Sequence, residues 1–158
     1  MPHPHSKAPI QVLLVEDNSS DAALVRIALE AAQASEMCCG MHLVSDGHQA
    51  ADFLRRRNSY RNAPRPDLVI LDLNLPKKHG LDLLREIKSD ADLKRIAVLV
   101  LSSSRDELDI RTAYDQQANC YVEKPVDFDR FYDLVRAIEF FCTASSTSRI
   151  PAPALAQC

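Results

Sequence analysis

The sequence lacks the features that would assign it to a membrane or to the secretory pathway. No window of its 158 residues approaches the about 18 consecutive apolar residues that a membrane-spanning helix requires. The first residues, MPHPHSKAP, contain no apolar stretch of the kind found in a secretory signal. We therefore expect a soluble, cytoplasmic protein with no membrane partner.

The chain also lacks an excess of basic charge and any metal-binding cysteine spacing. Its 19 basic and 22 acidic residues give a formal net charge of −3, which offers no general attraction to nucleic acid. The five cysteines include no CxxC pair, so neither a zinc site nor a disulfide framework is expected. No nucleic-acid partner is predicted.

Short apolar runs alternate with helical patterns along most of the chain. Alternation of this kind is typical of a parallel sheet covered by helices, because parallel strands need crossover connections. We predict an α/β fold of (βα)5 order, with a doubly wound, five-stranded parallel sheet. The predicted strands are Ile10–Val15, His42–Val44, Leu68–Leu71, Ala97–Leu101 and Cys120–Val122.

The predicted helices follow the strands in turn. Ser19 or Ser20 is expected to cap the first helix, since serine is a favoured N-cap residue. The second is predicted from His48 to Arg57, the third along the face that carries Leu81, Leu84 and Ile87, and the fourth at Glu107–Gln117. The fifth, from an Asp127 cap to Phe141, has the clearest amphipathic pattern.

The ends of the chain differ in composition from its middle. Residues 1–9 are predicted to be a disordered leader, and residues 10–141 to be one domain. Residues 142–158 are small and polar and include two prolines, so they cannot build a second core. We interpret this segment as a C-terminal tail and a candidate dimerisation arm.

Polar residues follow the apolar runs where four of the predicted strands end. Ligands collect beyond the carboxyl ends of parallel strands, close to the point where the strand order reverses. This chain places there Glu16 and Asp17, Asp72 and Asn74, Ser102, and Lys124. The fold therefore predicts that these side chains meet at one edge of the sheet.

Three carboxylates at one edge would repel each other unless a cation separated them. Mg²⁺ suits such a site, because it prefers oxygen ligands, retains waters and takes one or two carboxylates directly. We predict that Asp17 and Asp72 bind it directly, Glu16 through water, and a main-chain carbonyl near Asn74 as a further ligand. With a lysine and a hydroxyl nearby, the set matches the requirements for phosphorylating an aspartate, Asp72.

Four motifs in order carry a resemblance to a known family. The segments VEDN at 15–18, DLNLPKKHG at 72–80, LSSS at 101–104 and YVEKP at 121–125 resemble the receiver domain of two-component response regulators. The likeness extends from about Ile10 to Phe141. It implies the flavodoxin-like receiver fold. Within this family, the sequence is most similar to the single-domain regulators that partner bacterial phytochromes.

The resemblance implies a role for each residue of the predicted site. A sensor histidine kinase would phosphorylate Asp72, with Mg²⁺ bound by the acids and by the backbone carbonyl of Asn74. Ser102 and Lys124 would contact the phosphoryl group, although Ser102 stands where threonine is commonest. Ser102 and Tyr121 would form the conformational switch, and the Lys124–Pro125 bond would be cis.

The function expected from the sequence is that of a single-domain response regulator. It would accept phosphate from a kinase, with a bacterial phytochrome as the expected partner, and signal through the surface of the fourth helix, fifth strand and fifth helix. We expect no enzymatic turnover beyond slow self-phosphorylation from small donors and self-dephosphorylation, and we expect a homodimer.

Two other functions use similar folds. A haloacid dehalogenase-type phosphohydrolase would also use Asp72 as nucleophile, but it needs an acid two residues later, where this chain has Asn74. A dinucleotide-binding domain would need a glycine-rich turn after the first strand, and Val15–Asp21 contains no glycine.

Overall fold

The computed structural model describes residues 10–32 and 39–146. Strands and helices alternate along these residues. The strands are β1 (Ile10–Val15), β2 (Cys39–Val44), β3 (Leu68–Leu71), β4 (Ala97–Ser102) and β5 (Cys120–Glu123). The helices are α1 (Ser19–Ala32), α2 (Gly47–Arg55), α3 (Gly80–Ser89), α4 (Glu107–Asp115) and α5 (Phe128–Ser146), with 3₁₀ turns at Asn58–Tyr60 and Leu93–Arg95.

The strands form one parallel sheet in the order β2-β1-β3-β4-β5. The predicted doubly wound α/β fold is therefore confirmed. The direction of winding reverses between β1 and β3, because β2 lies on one side of β1 and β3 on the other. The carboxyl ends of these two strands are the expected place for a ligand.

The core lies in two layers, one on each face of the sheet. Successive residues of β1 alternate between them, since neighbouring side chains of a strand point to opposite faces. Val12 and Leu14 pack with the layer that contains Phe141 of α5, whereas Leu13 and Val15 pack with the layer that contains Leu84 of α3. With both faces covered, β3 is apolar throughout, and β4 is apolar until its last residue, Ser102.

Several element boundaries differ from those that the sequence predicts. β2 begins at Cys39 and not at His42, because it pairs with all of β1 from Ile10 onward. α2 ends at Arg55 because Arg56 adopts a left-handed conformation (φ 54°). The cap of α1 is Asn18, whose Oδ1 accepts the N–H groups of Ser20 and Asp21 at 2.9 and 3.0 Å, so the prediction of a serine cap is wrong.

The predicted cap of α5 is present, since Asp127 Oδ1 accepts the N–H of Arg130 at 2.9 Å. α5 continues to Ser146, five residues past the predicted domain boundary at 141. The predicted leader and residues 147–158 of the predicted tail lie outside the described residues. Among the helices that the structure describes, none has the length and apolar character needed to cross a membrane.

Lys88 joins three segments at the end of the sheet opposite the polar edge. It lies in the last turn of α3, and its Nζ donates to the carbonyls of Ile96 (2.8 Å) and Lys94 (3.2 Å) and to Oδ1 of Asn119 (3.1 Å). The same Asn119 oxygen accepts the N–H of Val98 at 2.9 Å. These acceptors are neutral, and burial lowers the pKa of Lys88 to about 8.

The pKa of Lys88 predicts a pH dependence of stability. Unfolding returns the amine to its ordinary pKa of 10.5, so between about pH 8 and 10.5 the unfolded chain binds more protons than the folded one. The free energy of unfolding should therefore gain a contribution that rises with pH across this window. Urea unfolding of wild type and Lys88→Gln at roughly pH 7.5 and 9.5 should show this rise only in wild type.

Lys94→Gln is the matched control for the Lys88 experiment. Lys94 is exposed on the adjoining 3₁₀ turn, and its contact with Lys88 uses only its main-chain carbonyl. The control should follow wild type at both pH values. An equal pH dependence in wild type and Lys88→Gln would contradict the assignment.

Candidate functional site

The paired ends of β1 and β3 place two acids side by side. Val15 and Leu71 are partners in the parallel register, and the N–H of Asp72 continues the ladder by donating to the carbonyl of Val15 at 3.1 Å. Glu16 and Asp72 therefore leave the sheet at the same level. The chain then turns back on itself, since the N–H of Asn74 donates to Asp72 Oδ1 at 3.0 Å.

Glu16, Asp17 and Asp72 form one cluster of carboxylates. Each of them offers an oxygen within 4.8 Å of the others. Glu16 and Asp72 are buried, whereas Asp17 is exposed and faces solvent. Burial raises the pKa of Glu16 to about 7, against the opposing effects of the hydrogen bond from the N–H of Asn18 and of the Lys124 ammonium.

Lys124 brings a positive charge to this cluster. Its main-chain N–H donates to the carbonyl of Ser102 at 2.9 Å, which extends the pairing of β4 and β5 to the edge of the sheet. Its Nζ lies 3.0 Å from Asp72 Oδ2, 3.0 Å from Glu16 Oε2 and 2.7 Å from Asp21 Oδ2. Burial lowers the pKa of Lys124, but the three carboxylates outweigh it and hold that pKa above its ordinary value.

The peptide bond between Lys124 and Pro125 differs from the prediction. No peptide bond in residues 10–32 and 39–146 is cis, so the expectation of a cis bond is wrong for this structure. The trans form of a bond before proline is favoured by about 0.5–1 kcal/mol. With this peptide bond trans, Lys124 Nζ still donates to Asp72 Oδ2 at 3.0 Å.

Ser102 and Tyr121 are connected through Ser104. Ser102 is buried at the end of β4, and its Oγ accepts the N–H of Ser104 at 3.1 Å. Tyr121 is also buried, and its hydroxyl donates to the carbonyl of Ser104 at 2.9 Å. Burial raises the pKa of the Tyr121 hydroxyl. The Tyr121 ring therefore points inward, beside the loop that follows Ser102.

The donor set of the cluster fits a hard divalent cation. All three side chains supply carboxylate oxygens, the ligands that Mg²⁺ and Mn²⁺ take in proteins. Oε2 of Glu16 is buried and makes no hydrogen bond of good geometry, although it is ion-paired with Lys124. A buried carboxylate oxygen without a hydrogen bond is costly, and a cation would remove that cost.

Gly80 allows α3 to begin directly against the backbone of the acid cluster. The N–H of Gly80 donates to the carbonyl of Leu73 at 3.0 Å. A Cβ at position 80 would lie only 2.5 Å from the carbonyl oxygen of Asp72 and 2.5 Å from Cα of Leu73. Only a glycine fits this contact without moving the main chain that carries Asp72.

Two residues of the site escaped the sequence analysis. Asp21 contacts Lys124 from the first turn of α1, and Asn18 donates its N–H to Glu16 Oε1 at 3.1 Å. A signal for Asp21 was present, because an acid in the first turn of the helix after β1 lies at the same edge of the sheet as Asp17. Its pairing with Lys124, 103 positions further along, is a tertiary contact.

The fold and the site together define a receiver domain. Residues 12–136 match the family model described as the response regulator receiver domain. This match covers most of the chain, and the chain therefore belongs to the response regulator receiver family. Members of this family are in general phosphoacceptors and not enzymes, and the family match gives no support to the alternative of a dehalogenase-type phosphohydrolase.

Within the family, the chain is similar to several individual response regulators. The chain is 41% identical over 136 residues to the response regulator Rcp1 of Synechocystis sp., covering 86% of this chain and 90% of Rcp1. It is 42% identical to the phosphorylated cyanobacterial phytochrome response regulator RcpA, with a TM-score of 0.77 over 91% of this chain and 99% of RcpA.

Two further solved structures are similar. The Mn²⁺-bound form of Rcp1 is 38% identical, with a TM-score of 0.73 over 91% of this chain and 100% of the Rcp1 chain. The bacteriophytochrome response regulator RtBRR is 36% identical, with a TM-score of 0.70 over 83% of this chain and 78% of RtBRR. The predicted likeness to phytochrome-associated regulators is confirmed.

Gly80→Ala should destabilise the protein at the site. The added methyl group meets main-chain atoms that cannot rotate away, so we expect a loss of about 1–3 kcal/mol in the free energy of unfolding. Gly40→Ala is the matched control, because its Cβ would meet only the end of the Gln11 side chain. Urea unfolding of both variants measures the difference, and an equal loss in the two would contradict the proposed role of Gly80.

Proposed function

We propose that Asp72 is the phosphoacceptor and that a sensor histidine kinase supplies the phosphoryl group. The observation that carries the proposal is the Lys124 ammonium 3.0 Å from Oδ2 of a buried aspartate at the end of β3. A carboxylate oxygen of Asp72 attacks phosphorus, the phosphorus–nitrogen bond of the phosphohistidine breaks, and the electron pair returns to the imidazole. Lys124 stabilises the charge on the phosphoryl oxygens, and Ser102 supplies a hydroxyl donor.

Mg²⁺ is the proposed cofactor, held by Glu16, Asp17, Asp72 and the backbone carbonyl of Asn74. The cluster of three carboxylates and the Mn²⁺ bound by the relative Rcp1 support a divalent ion at this position. When bound, the ion neutralises the carboxylates and the incoming phosphoryl oxygens. The side chains of this chain hold the phosphodonor in line with Asp72, and the buried β3 keeps that carboxylate in place.

The proposed output is a change of the surface formed by α4, β5 and α5. Ser102 and Tyr121 both contact Ser104, which lies just before α4. A movement of Ser102 toward a phosphoryl group would therefore change the contacts at the start of that helix. Phosphorylation then shifts a pre-existing equilibrium between two conformations. Slow self-phosphorylation from small donors and self-dephosphorylation are the only turnover proposed.

The proposed kinase is a bacterial phytochrome. RcpA and RtBRR are named as phytochrome and bacteriophytochrome response regulators, and they share 42% and 36% identity with this chain. The cytoplasm is the proposed location of the protein. Phosphotransfer from purified histidine kinases, with phytochrome-type kinases tested first, would identify the partner.

Phosphorylation of Asp72 is tested with acetyl phosphate. In the presence of Mg²⁺, intact-mass measurement of the wild-type chain should show one added phosphoryl group, and Asp72→Asn should show none. Removal of Mg²⁺ with a chelator should also abolish the addition, because the carboxylates then repel the donor. Asp67→Asn is the control, since Asp67 lies just before β3, at its other end. Phosphorylation of Asp72→Asn would overturn the proposal.

We also propose a homodimer formed through α5, with residues 142–158 as an arm beyond the receiver domain of residues 10–141. Three large apolar side chains face solvent at and just before the start of α5: Val126, Phe128 and Tyr132 are 78%, 83% and 56% exposed. Exposed apolar residues that cluster on one surface can mark an interaction site. The same part of the fold belongs to the proposed output surface.

Phe128→Lys tests the dimer. A charge at this exposed position should shift the wild-type dimer to a monomer in multi-angle light scattering, because a buried unpaired charge is costly. Leu43→Lys is the control, since Leu43 is 45% exposed on the edge strand β2. A wild-type monomer, or a Phe128→Lys dimer as stable as wild type, would contradict the proposal.

A further inference from the structure

Three carboxylates surround the Lys124 ammonium in this structure. An ammonium group has three N–H donors, and Lys124 Nζ has three carboxylate neighbours, Glu16, Asp72 and Asp21. The shortest of these distances, 2.7 Å, is the one to Asp21. An incoming phosphoryl group therefore meets a lysine whose hydrogen bonds go to Asp72 and Asp21 and whose third contact is an ion pair with Glu16.

Asp21 differs from the other two partners in its position. Glu16 and Asp72 are fixed at strand ends, and their side chains are 1% and 3% exposed. Asp21 comes from the first turn of α1, and its side chain is 34% exposed. Water can replace Lys124 at Asp21 at little cost, because ion pairs open to solvent are weak, whereas a buried carboxylate without its partner is costly.

Asp21 is also held in place before any ligand arrives. Its main-chain N–H donates to Oδ1 of Asn18 at 3.0 Å, in the cap of α1. The side chain therefore projects from a fixed point toward Lys124, and the helix does not have to move for the contact to form or break. Of the three carboxylate contacts of Lys124, the ion pair with Asp21 is therefore the one that a ligand can most easily replace.

We propose that Asp21 is a positioning residue that competes with the phosphoryl group for Lys124 and so slows phosphorylation of Asp72. The inference rests on the proposed phosphoacceptor role of Asp72. Before phosphorylation, Asp21 holds one N–H donor of the ammonium. When the phosphoryl group arrives, Lys124 exchanges its contact with Asp21 for a phosphoryl oxygen.

Asp21→Asn tests the inference, because the amide has the same shape and lacks the charge. We expect the initial rate of phosphorylation by acetyl phosphate at saturating Mg²⁺ to rise about threefold to fivefold, the upper part of the range for removing a competing ion pair that is partly open to solvent. The conservative variant Asp21→Glu keeps the charge and should remain within about twofold of wild type.

Glu30→Gln separates the contact from net charge. Glu30 is exposed further along α1, so its substitution removes the same charge from the same helix. Its rate should stay close to that of wild type with both acetyl phosphate and the less negatively charged phosphoramidate, whereas Asp21→Asn should be faster with both donors. Urea unfolding of Asp21→Asn checks that its fold is retained.

The outcomes distinguish this inference from the proposed function. A wild-type chain that takes up no phosphoryl group, or an Asp72→Asn variant that does, would overturn the function of Asp72. A wild type phosphorylated on Asp72 with an Asp21→Asn rate equal to that of Glu30→Gln, or below that of wild type, would overturn only the role of Asp21. An acceleration seen with acetyl phosphate and absent with phosphoramidate would also overturn it, since that effect would be one of charge alone.

Discussion

The ion pairs of Lys124 are the interaction on which the rest of the site depends. Acidic residues from β1, β3 and α1 converge on one ammonium that follows β5. Without that charge, the buried Glu16 and Asp72 would be two carboxylates in a poorly solvated place, which is an unfavourable arrangement. The sheet places the two carboxylates close together, and the charge of Lys124 stabilises them there. The same ion pairs therefore support both the stability of this edge and its proposed chemistry.

The fold and most of the site could be predicted from the sequence, because apolar runs mark the strands and the site residues directly follow those runs. Unbroken apolar runs such as Leu68–Leu71 identify strands buried on both faces, and parallel strands bring their carboxyl ends to one edge. The residues after those runs, Asp72 and Lys124 among them, could therefore be placed together before any coordinates. Their proximity is a property of the topology and needs no detail of packing.

What could not be predicted depends on contacts that have no local signature. The start of β2 at Cys39 is set by pairing with β1 and not by the composition of residues 39–41. Ser19 and Ser20 follow Asn18 directly, and asparagine and serine are about equally favoured as caps, so only the backbone geometry identifies Asn18 as the cap of α1. The pairing of Asp21 with Lys124 depends on how α1 lies relative to β5, and no spacing in the chain gives that orientation.

The hydrogen bonds of Ser104 connect the β4–α4 loop to three parts of the fold. Its N–H binds Ser102 Oγ, its carbonyl accepts from Tyr121, and its hydroxyl donates to Asp109 Oδ2 at 2.7 Å and accepts the N–H of Asp106 at 3.2 Å. One residue thus links the strand end, the aromatic ring and the first turn of α4 by hydrogen bonds, two of them made by its main chain. In the proposed switch, a displacement of Ser102 would therefore act on Tyr121 and on α4 through the same residue, and not through several separate contacts.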